Sequence, residues 1–192
     1  IVIVDGSPDP SIRSTFGSLG AIVYPEITRG MGASRRLVCH LAEEEIAPDL
    51  ETFFVWLEPE KTDIVPWIEK MIEAMNHSPK CIIVPRRTDR SWSSYPNFQV
   101  QSEKEANQIF KEEICCDLDI MFGPVVFHET KIHLMHQQFG GRLGVADTYL
   151  QHYAVIEAVA HGHAFVGSVD IDFIYPPEQK TEEEVSGNEA IR

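Results

Sequence analysis

Short apolar runs alternate with longer segments of helical periodicity in the first half of the chain. The clearest helical segment runs from Ile64 to Met75, where apolar residues recur at i, i+3, i+4 and i+7. The pattern predicts strands at residues 1–4, 21–24, 52–57 and 81–84, and helices at residues 11–19, 33–46 and 64–75. Because strand and helix alternate, we expect an α/β fold whose mostly parallel sheet is flanked by helices on both sides.

The second half of the chain is less regular. It predicts a long polar loop at residues 85–96, helices at 102–114 and 146–160, a strand at 125–127 and an extended segment at 164–175. Residues 178–192 are acidic and poor in large apolar side chains, which predicts a loosely ordered tail. No linker divides residues 1–177, so we expect a single domain there.

Composition excludes several classes of protein. The 192 residues include 16 Lys+Arg against 30 Asp+Glu, a formal net charge of -14, which excludes a nucleic-acid binder that works through a basic surface. No apolar run approaches the roughly 18 residues of a membrane span, and the N-terminus lacks a basic flank. The four cysteines form no CxxC pair and are interpreted as reduced thiols, which favours a cytoplasmic protein.

Charged residues follow several of the predicted strands, at the edge where an open α/β sheet binds ligands. Glu58 and Glu60 come directly after the strand at 52–57, and such hard oxygen ligands suit Mg²⁺ or Mn²⁺. Two solvated acids that precede a helix are the alternative interpretation. Arg86 and Arg87 follow the strand at 81–84, either as an anion site or as a pair of surface cations.

Three motifs give the order of these residues a familiar form. They are Asp5-Gly6-Ser7, then Gly30-Met31-Gly32-Ala33-Ser34-Arg35, then Glu58-Pro59-Glu60. This order resembles the nucleotide-sugar-binding half of a GT-A-fold glycosyltransferase of the family 2 type, over roughly residues 1–85. Two features depart from that family: the acidic motif is Glu-Pro-Glu instead of Asp-x-Asp, and the family's usual first strand does not precede Ile1.

The resemblance implies roles for the residues of the first two motifs. Asp5 would contact the base or ribose of a nucleotide. Gly30 and Gly32 would let the backbone approach the sugar donor, and Arg35 or Arg36 would lie near it. A tight turn before a helix is the alternative reading of the two glycines.

The resemblance also implies how the donor's diphosphate is held. A carboxylate of Glu58 or Glu60 would bind a divalent metal, Mn²⁺ or Mg²⁺, on the diphosphate. Separately from the resemblance, the position of Arg86 and Arg87 after a strand at the ligand edge suggests that they hold a donor phosphate or an anionic acceptor. The chemistry requires such charges, because a departing nucleoside diphosphate develops negative charge that a divalent cation or Arg stabilises.

The second half, residues 86–177, would shape the acceptor site. The segment Asp119-Ile120-Met121-Phe122-Gly123-Pro124 looks like the family's entry into that region, and Gly144-Val145-Ala146-Asp147 looks like its later acidic position. Asp147 is the candidate for orienting or deprotonating an acceptor hydroxyl, with a dipole-stabilised acid at a helix start as the alternative. The layout of this half also resembles, more loosely, mannosylglycerate synthase.

The sequence therefore predicts a metal-dependent glycosyltransferase that moves a sugar from a nucleoside diphosphate sugar to a hydroxyl acceptor. A nucleotidyltransferase is one alternative, although a glycine-rich, basic loop after the first strand would be expected there and DGSPDP is acidic. A GT-A-like module that binds a ligand without turnover is the other alternative.

Overall fold

The computed structural model describes residues 1–27, 30–45, 51–58, 61–76, 81–136, 150–162 and 166–190. The chain forms two compact units. The first consists of Ile1–Phe54 with His128–Ala154, and the second of Val55–Phe127 with Val155–Arg192. The division of residues 1–177 into a nucleotide-sugar half and an acceptor half at residue 85 stays a prediction.

The first unit contains a two-stranded parallel sheet. Strand β1 pairs with β2 from Val2 opposite Ile22 to Asp5 opposite Pro25. Helix α1 between them begins where Asp9 accepts a hydrogen bond from the Ser11 N–H at 2.9 Å, with proline at the first helical position. The elements are β1 (Val2–Asp5), α1 (Pro10–Ser18), β2 (Ile22–Pro25) and α2 (Met31–Glu44).

A second sheet has four strands in the order β3-β5-β4-β6, and most of its residues belong to the second unit. Its strands are β3 (Phe53–Trp56), β4 (Ile82–Arg87), β5 (Val125–His128) and β6 (Val166–Ile171). Strand β4 runs parallel to β6 and antiparallel to β5. Fully buried side chains from three of these strands form much of the core: Ile82, Ile83, Val84, Val126, Phe127 and Ile171.

Helices complete both units. They are α3 (Ile68–Asn76), α4 (Asp89–Ser94), α5 (Asn97–Ile114), α6 (His133–His136), α7 (Leu150–His161) and α8 (Pro177–Ala190). Short 3₁₀ helices span Thr62–Trp67, Ile120–Phe122 and Glu129–Lys131. In the first unit α6 packs on α2, where His136 Nε2 lies 2.7 Å from Glu43 Oε2.

The α/β class is confirmed, but the predicted sheet is not the one observed. The larger sheet has only four strands. It is mixed, because β5 runs antiparallel to β4. A short apolar run reads the same in either chain direction, so the residues of β5 predict a buried strand without its orientation. The orientation of β5 depends instead on the path of the connection that precedes it.

The predicted loop at residues 85–96 is instead regular structure. Strand β4 continues to Arg87, and α4 follows after Thr88, whose side chain accepts a hydrogen bond from the Ser91 N–H. Trp92 and Tyr95 are buried. Arg86 and Arg87 therefore belong to β4, Thr88 caps α4, and Asp89, Arg90 and Ser93 lie on the exposed side of that helix.

The predicted loose tail is also helical as far as Ala190, where the described part of the chain ends. Glu178 lies in the first turn of α8, where negative charge is favoured, and the Tyr175 hydroxyl donates to Glu183 at 2.6 Å. The low content of large apolar residues was a misleading signal, because Glu, Gln and Lys are good helix formers.

Candidate functional site

Asp5 is the last residue of β1, and both of its carboxylate oxygens are held. Arg13 Nη1 lies 2.9 Å from Oδ2, and the Ser7 N–H donates to Oδ1 at 3.1 Å. Arg13 reaches back from α1 and also donates to the Ser7 carbonyl at 3.2 Å. The Asp-Gly-Ser turn is therefore folded around the carboxylate, with Arg13 as its counter-charge.

A second set of contacts joins the ends of β1 and β2 to the start of α2. The Glu26 N–H donates to the Asp5 carbonyl at 2.9 Å, and the Ser34 hydroxyl donates to the Glu26 carboxylate. A Cβ on Gly6 would lie 2.6 Å from Glu26 Oε2, so glycine lets this carboxylate approach the turn. The first two sequence motifs thus meet at the carboxyl ends of parallel strands, where α/β folds bind ligands.

The second motif begins on a glycine that the backbone requires. Gly30 has φ +123°, in the region that disfavours other residues, and a Cβ there would meet nothing within 4 Å. Gly32 is buried in the first turn of α2. Arg35 and Arg36 follow on the same helix and are half-buried. The motif therefore opens α2, as the resemblance implies, in the same unit as Asp5.

Glu58 lies two residues beyond β3, in the second unit. Its carboxylate is paired with the Lys61 ammonium, which also donates to the Phe122 carbonyl. Both side chains of the pair are largely buried, with Glu58 19% and Lys61 12% exposed. Glu60, the second predicted metal ligand, lies outside the described residues.

Of the two predicted metal ligands, Glu58 alone lies in the described part of the chain. Within those ranges no group of three or more His, Cys, Asp or Glu side chains is arranged to hold a metal ion. Mg²⁺ and Mn²⁺ prefer several oxygen ligands, whereas the Glu58 carboxylate already accepts from an ammonium. The expectation of a divalent metal at Glu58 and Glu60 stays a prediction.

Arg86 lies near the end of β4 and faces solvent. Its side chain is 47% exposed, and Nε donates to Asp170 Oδ1 at 2.6 Å. The hydrogen bond that Arg86 donates to Asp170 raises the pKa of Arg86 above its ordinary value. A guanidinium has five N–H donors, so the bond to Asp170 leaves the group able to bind a further anion.

Arg87 is buried in the core. Nε and Nη2 each lie 2.7 Å from an oxygen of Asp119, and Nη1 lies 2.6 Å from Glu103 Oε2. Burial lowers the pKa of Arg87, but the hydrogen bond and the charges of Asp119 and Glu103 outweigh it, so the pKa is raised. Asp119 is bound in the bidentate geometry that is favourable for arginine, and Glu103 forms an ion pair with the same guanidinium.

Aromatic rings enclose the same guanidinium. The Arg87 Cζ lies 3.6 Å from the ring centroid of Trp92, 4.7 Å from that of Tyr95 and 5.1 Å from that of Phe122. Its side chain has no exposed surface, so the structure places Arg87 in the core instead of at the ligand edge. The predicted role in holding a phosphate is therefore corrected to a structural one.

The predicted acceptor residues are only partly described. Asp147 and its motif at residues 144–147 lie outside the described residues, and its catalytic role stays a prediction. Asp119, at the start of the other acceptor motif, is buried and pairs with Arg87. It also accepts a hydrogen bond from the Asn107 side chain at 2.7 Å. That motif therefore begins as part of the core of the second unit.

Sequence reasoning missed three charged partners: Arg13 of Asp5, Lys61 of Glu58 and Asp170 of Arg86. Lys61 had a local signal, because residues three apart lie close together on a turn or helix. Arg13 also had one, since side chains in a first helical turn lean back toward the N-terminus. Asp170 had none, because 84 residues separate it from Arg86.

No protein-family model matches the sequence, and no curated protein matches it. A solved structure does match: the crystal structure of glucosyl-3-phosphoglycerate synthase from Mycobacterium tuberculosis in complex with phosphoglyceric acid, with a TM-score of 0.56 and 12% identity. This chain has a GT-A-like fold. The match covers 88% of the chain and 57% of the synthase, so the chain spans less than two thirds of the synthase's length.

At this identity the likeness shows the fold alone. It confirms the coarse part of the resemblance, a GT-A-like α/β protein, and leaves the family 2 assignment a prediction. Among the described residues, no helix is both long enough and apolar enough to cross a membrane.

Proposed function

We propose that this protein transfers a glycosyl group from a nucleoside diphosphate sugar to a hydroxyl acceptor. The observation that carries the proposal is the fold shared with glucosyl-3-phosphoglycerate synthase over 88% of the chain. The order of the Asp5, Gly30 and Glu58 motifs supports it independently, because that order resembles the nucleotide-sugar half of such enzymes.

The first unit would bind the nucleotide portion of the donor. Asp5 would accept a hydrogen bond from the base or ribose, and the backbone opened by Gly30 and Gly32 would approach the donor. Arg35 or Arg36 would lie near it. These roles are supported by the meeting of the β1 end, the β2 end and the start of α2.

The transfer itself exchanges one C–O bond for another. The bond between the sugar C1 and the diphosphate oxygen breaks, and that oxygen keeps the electron pair. The acceptor oxygen forms the new bond to C1 and loses its proton, for which Asp147 is the candidate base. Arg86, exposed at the end of β4, would hold a donor phosphate or an anionic acceptor. The synthase structure contains bound phosphoglyceric acid, which is an anion.

A non-catalytic binding module is the second candidate function. The pairing of Glu58 with Lys61 favours it, because the predicted metal ligand is engaged by a side chain of the same unit. Nucleotide-sugar binding without turnover would identify such a module. The metal requirement and a cytoplasmic location stay predictions.

Thermal unfolding in the presence of nucleotides tests the proposal. A ligand that binds only the folded chain adds about 2.7 kcal/mol of stability at 100 times its Kd. We expect one nucleoside diphosphate and its sugar derivatives to raise the Tm. Nucleoside triphosphates that raise it while diphosphate sugars do not would favour a nucleotidyltransferase, and no shift with any nucleotide would contradict nucleotide binding.

A matched pair of variants places the effect in the site. Asp5→Asn should weaken nucleotide binding because it removes the carboxylate at the end of β1. Asp9→Asn, four residues later, should leave it unchanged, since asparagine caps a helix as well as aspartate does. Equal binding by both variants would remove Asp5 from the proposed site.

A further inference from the structure

Glu26 is a second carboxylate, besides Asp5, at the edge of the first unit where β1, β2 and α2 meet. It directly follows β2, and its N–H donates to the Asp5 carbonyl at 2.9 Å. The hydroxyl of Ser34, in the first turn of α2, donates to Oε1 of the same residue. Glu26 therefore contacts both of the motifs that the resemblance assigns to nucleotide binding, although it belongs to neither.

Gly6 lets the Glu26 carboxylate lie against the turn after β1. A Cβ on Gly6 would be 2.6 Å from Oε2 and 3.1 Å from Cδ of Glu26, so any other residue at position 6 would displace the carboxylate. Gly6 is exposed and Glu26 is half-buried. The carboxylate therefore lies beside exposed backbone, at the carboxyl ends of two parallel strands, where α/β folds bind ligands.

The two carboxylates at this edge are held by different kinds of group. Arg13 Nη1 lies 2.9 Å from Asp5 Oδ2 and supplies a counter-charge, and the Asp5 side chain is only 10% exposed. Ser34 is neutral, so its hydroxyl orients the Glu26 carboxylate without offsetting the negative charge. Such a charge repels phosphate but strengthens hydrogen bonds donated by hydroxyl groups. Glu26 therefore suits the sugar of a nucleoside better than its phosphates.

We propose that Glu26 accepts a hydrogen bond from a ribose hydroxyl of the donor nucleotide and thereby selects ribonucleotides over deoxyribonucleotides. In dinucleotide-binding βαβ units, the acid that binds ribose stands about 20 residues after the glycine-rich turn, and Glu26 follows Gly6 by a similar distance. Ser34 and Gly6 are positioning residues, because one orients the carboxylate and the other gives it room. The inference rests on the proposed function, since it assumes a nucleoside diphosphate bound by the first unit.

Calorimetric titration with UDP, GDP and ADP, each compared with its 2′-deoxy and 3′-deoxy counterparts, tests this inference. For the nucleotide that binds, loss of the hydroxyl that Glu26 contacts should raise the Kd about tenfold, as expected for a hydrogen bond to a charged group. Glu26→Ala lacks the acceptor, so its Kd values for the ribonucleotide and the deoxyribonucleotide should be nearly equal. The ratio of these two Kd values is the measurement, and a general weakening of binding by the substitution cancels in it.

Two further variants separate the position of the carboxylate from its charge. Gly6→Ala keeps Glu26 charged but displaces its carboxylate, so it should also lower the ratio of the deoxyribonucleotide Kd to the ribonucleotide Kd. Glu45→Ala is the matched control, because Glu45 also accepts a hydrogen bond from a hydroxyl in the first unit, that of Tyr24 at 3.1 Å. It should leave the ratio at the wild-type value.

The outcomes separate this inference from the proposed function. An unchanged ratio in Glu26→Ala, with the fold intact by circular dichroism, overturns the role of Glu26, and so does an equal loss of discrimination in Glu45→Ala. If Glu26→Ala does not fold, the wild type decides, because equal binding of ribonucleotides and deoxyribonucleotides overturns the inference and leaves the glycosyltransferase proposal standing. Absence of binding by every nucleotide overturns the proposed function, and the inference with it.

Discussion

Arg86 and Arg87 are neighbours on β4, yet they occupy opposite environments. Successive side chains of a strand point to opposite faces, so one guanidinium lies at the surface and the other in the core. Arg86 is 47% exposed and makes one bond to the half-exposed Asp170. The Arg87 side chain is 0% exposed, forms ion pairs with two carboxylates and packs against three aromatic rings.

The difference shows how the same residue type serves ligand binding in one case and the fold in the other. A buried charge must be fully paired, since an unpaired one costs several kcal/mol. Asp119 and Glu103 pair the charge of Arg87, and both Nε and Nη2 donate to Asp119. Arg86 is 47% exposed, and an incoming anion displaces solvent from such a group more readily than it displaces a buried carboxylate.

Arg87→Met should have the largest effect on stability. It leaves Asp119 and Glu103 without their counter-charge in or near the core, and loss of one partner from a buried pair costs about 3–5 kcal/mol. Urea unfolding at neutral pH measures the loss in the free energy of unfolding. A loss this large is a substantial fraction of the stability of an ordinary domain.

Arg86→Met is the control for that experiment, because it makes the same substitution at the adjacent residue. Its ion pair is exposed, so the free energy of unfolding should change by at most about 1 kcal/mol. Equal losses in the two variants would contradict the distinction between a structural and an accessible arginine.

Arg86→Met should have a smaller, functional effect. If Arg86 holds a phosphate or an anionic acceptor, its removal should weaken the binding of that anion about tenfold, as expected for a hydrogen bond to a charged group. The measurement is a titration with nucleoside diphosphates and with phosphoglyceric acid. The thermal stability of the unliganded variant should stay near that of the wild type.

Arg90→Met separates a specific contact from general electrostatics. Arg90 is exposed on α4 and lies 3.7 Å from Asp172, so its removal changes the net charge by the same amount. Specific binding by Arg86 predicts that only the Arg86 variant loses affinity. Similar losses in both would assign the effect to the charge of the surface.

The sequence predicts most of the elements because apolar periodicity is a local property. The helix predicted at residues 64–75 corresponds to the 3₁₀ helix Thr62–Trp67 followed by α3, and the strand predicted at 81–84 lies within β4. The orientation of β5 was not predictable in this way, because it depends on chain connections. Polar composition misled at residues 85–96 and 178–190, where capping and helix propensity decide the structure.

In the candidate site, too, the sequence predicts local features and misses those that depend on long-range contacts. The resemblance places Asp5, Gly30 and Gly32 at strand and helix ends, and the structure has them there. It could not distinguish Arg86 from Arg87, because that requires knowing where β4 ends and which face is buried. It also could not find Asp119 as the partner of Arg87, since 32 residues separate them.

Titration of Tyr95 at alkaline pH also tests the environment of Arg87, and of these tests it has the smallest expected effect. Tyr95 packs on Arg87, and burial raises its pKa above the ordinary value of 10.0 even though the Arg87 charge acts in the opposite direction. The unfolded chain therefore ionises this tyrosine first as pH rises. Its contribution to stability is complete below about pH 10 and is lost progressively above it.

Tyr95→Phe removes that titration, so its free energy of unfolding should fall less than that of the wild type as the pH rises above about 10. Urea midpoints across this range measure the difference. Tyr24→Phe is the exposed counterpart: a hydrogen bond to Glu45 raises the pKa of Tyr24, but solvent screens the interaction. The Tyr24 variant should follow the wild-type pH profile closely. If the Tyr95 variant followed it too, the hydroxyl beside Arg87 would be accessible to water, and the core around that arginine would be more open than the structure shows.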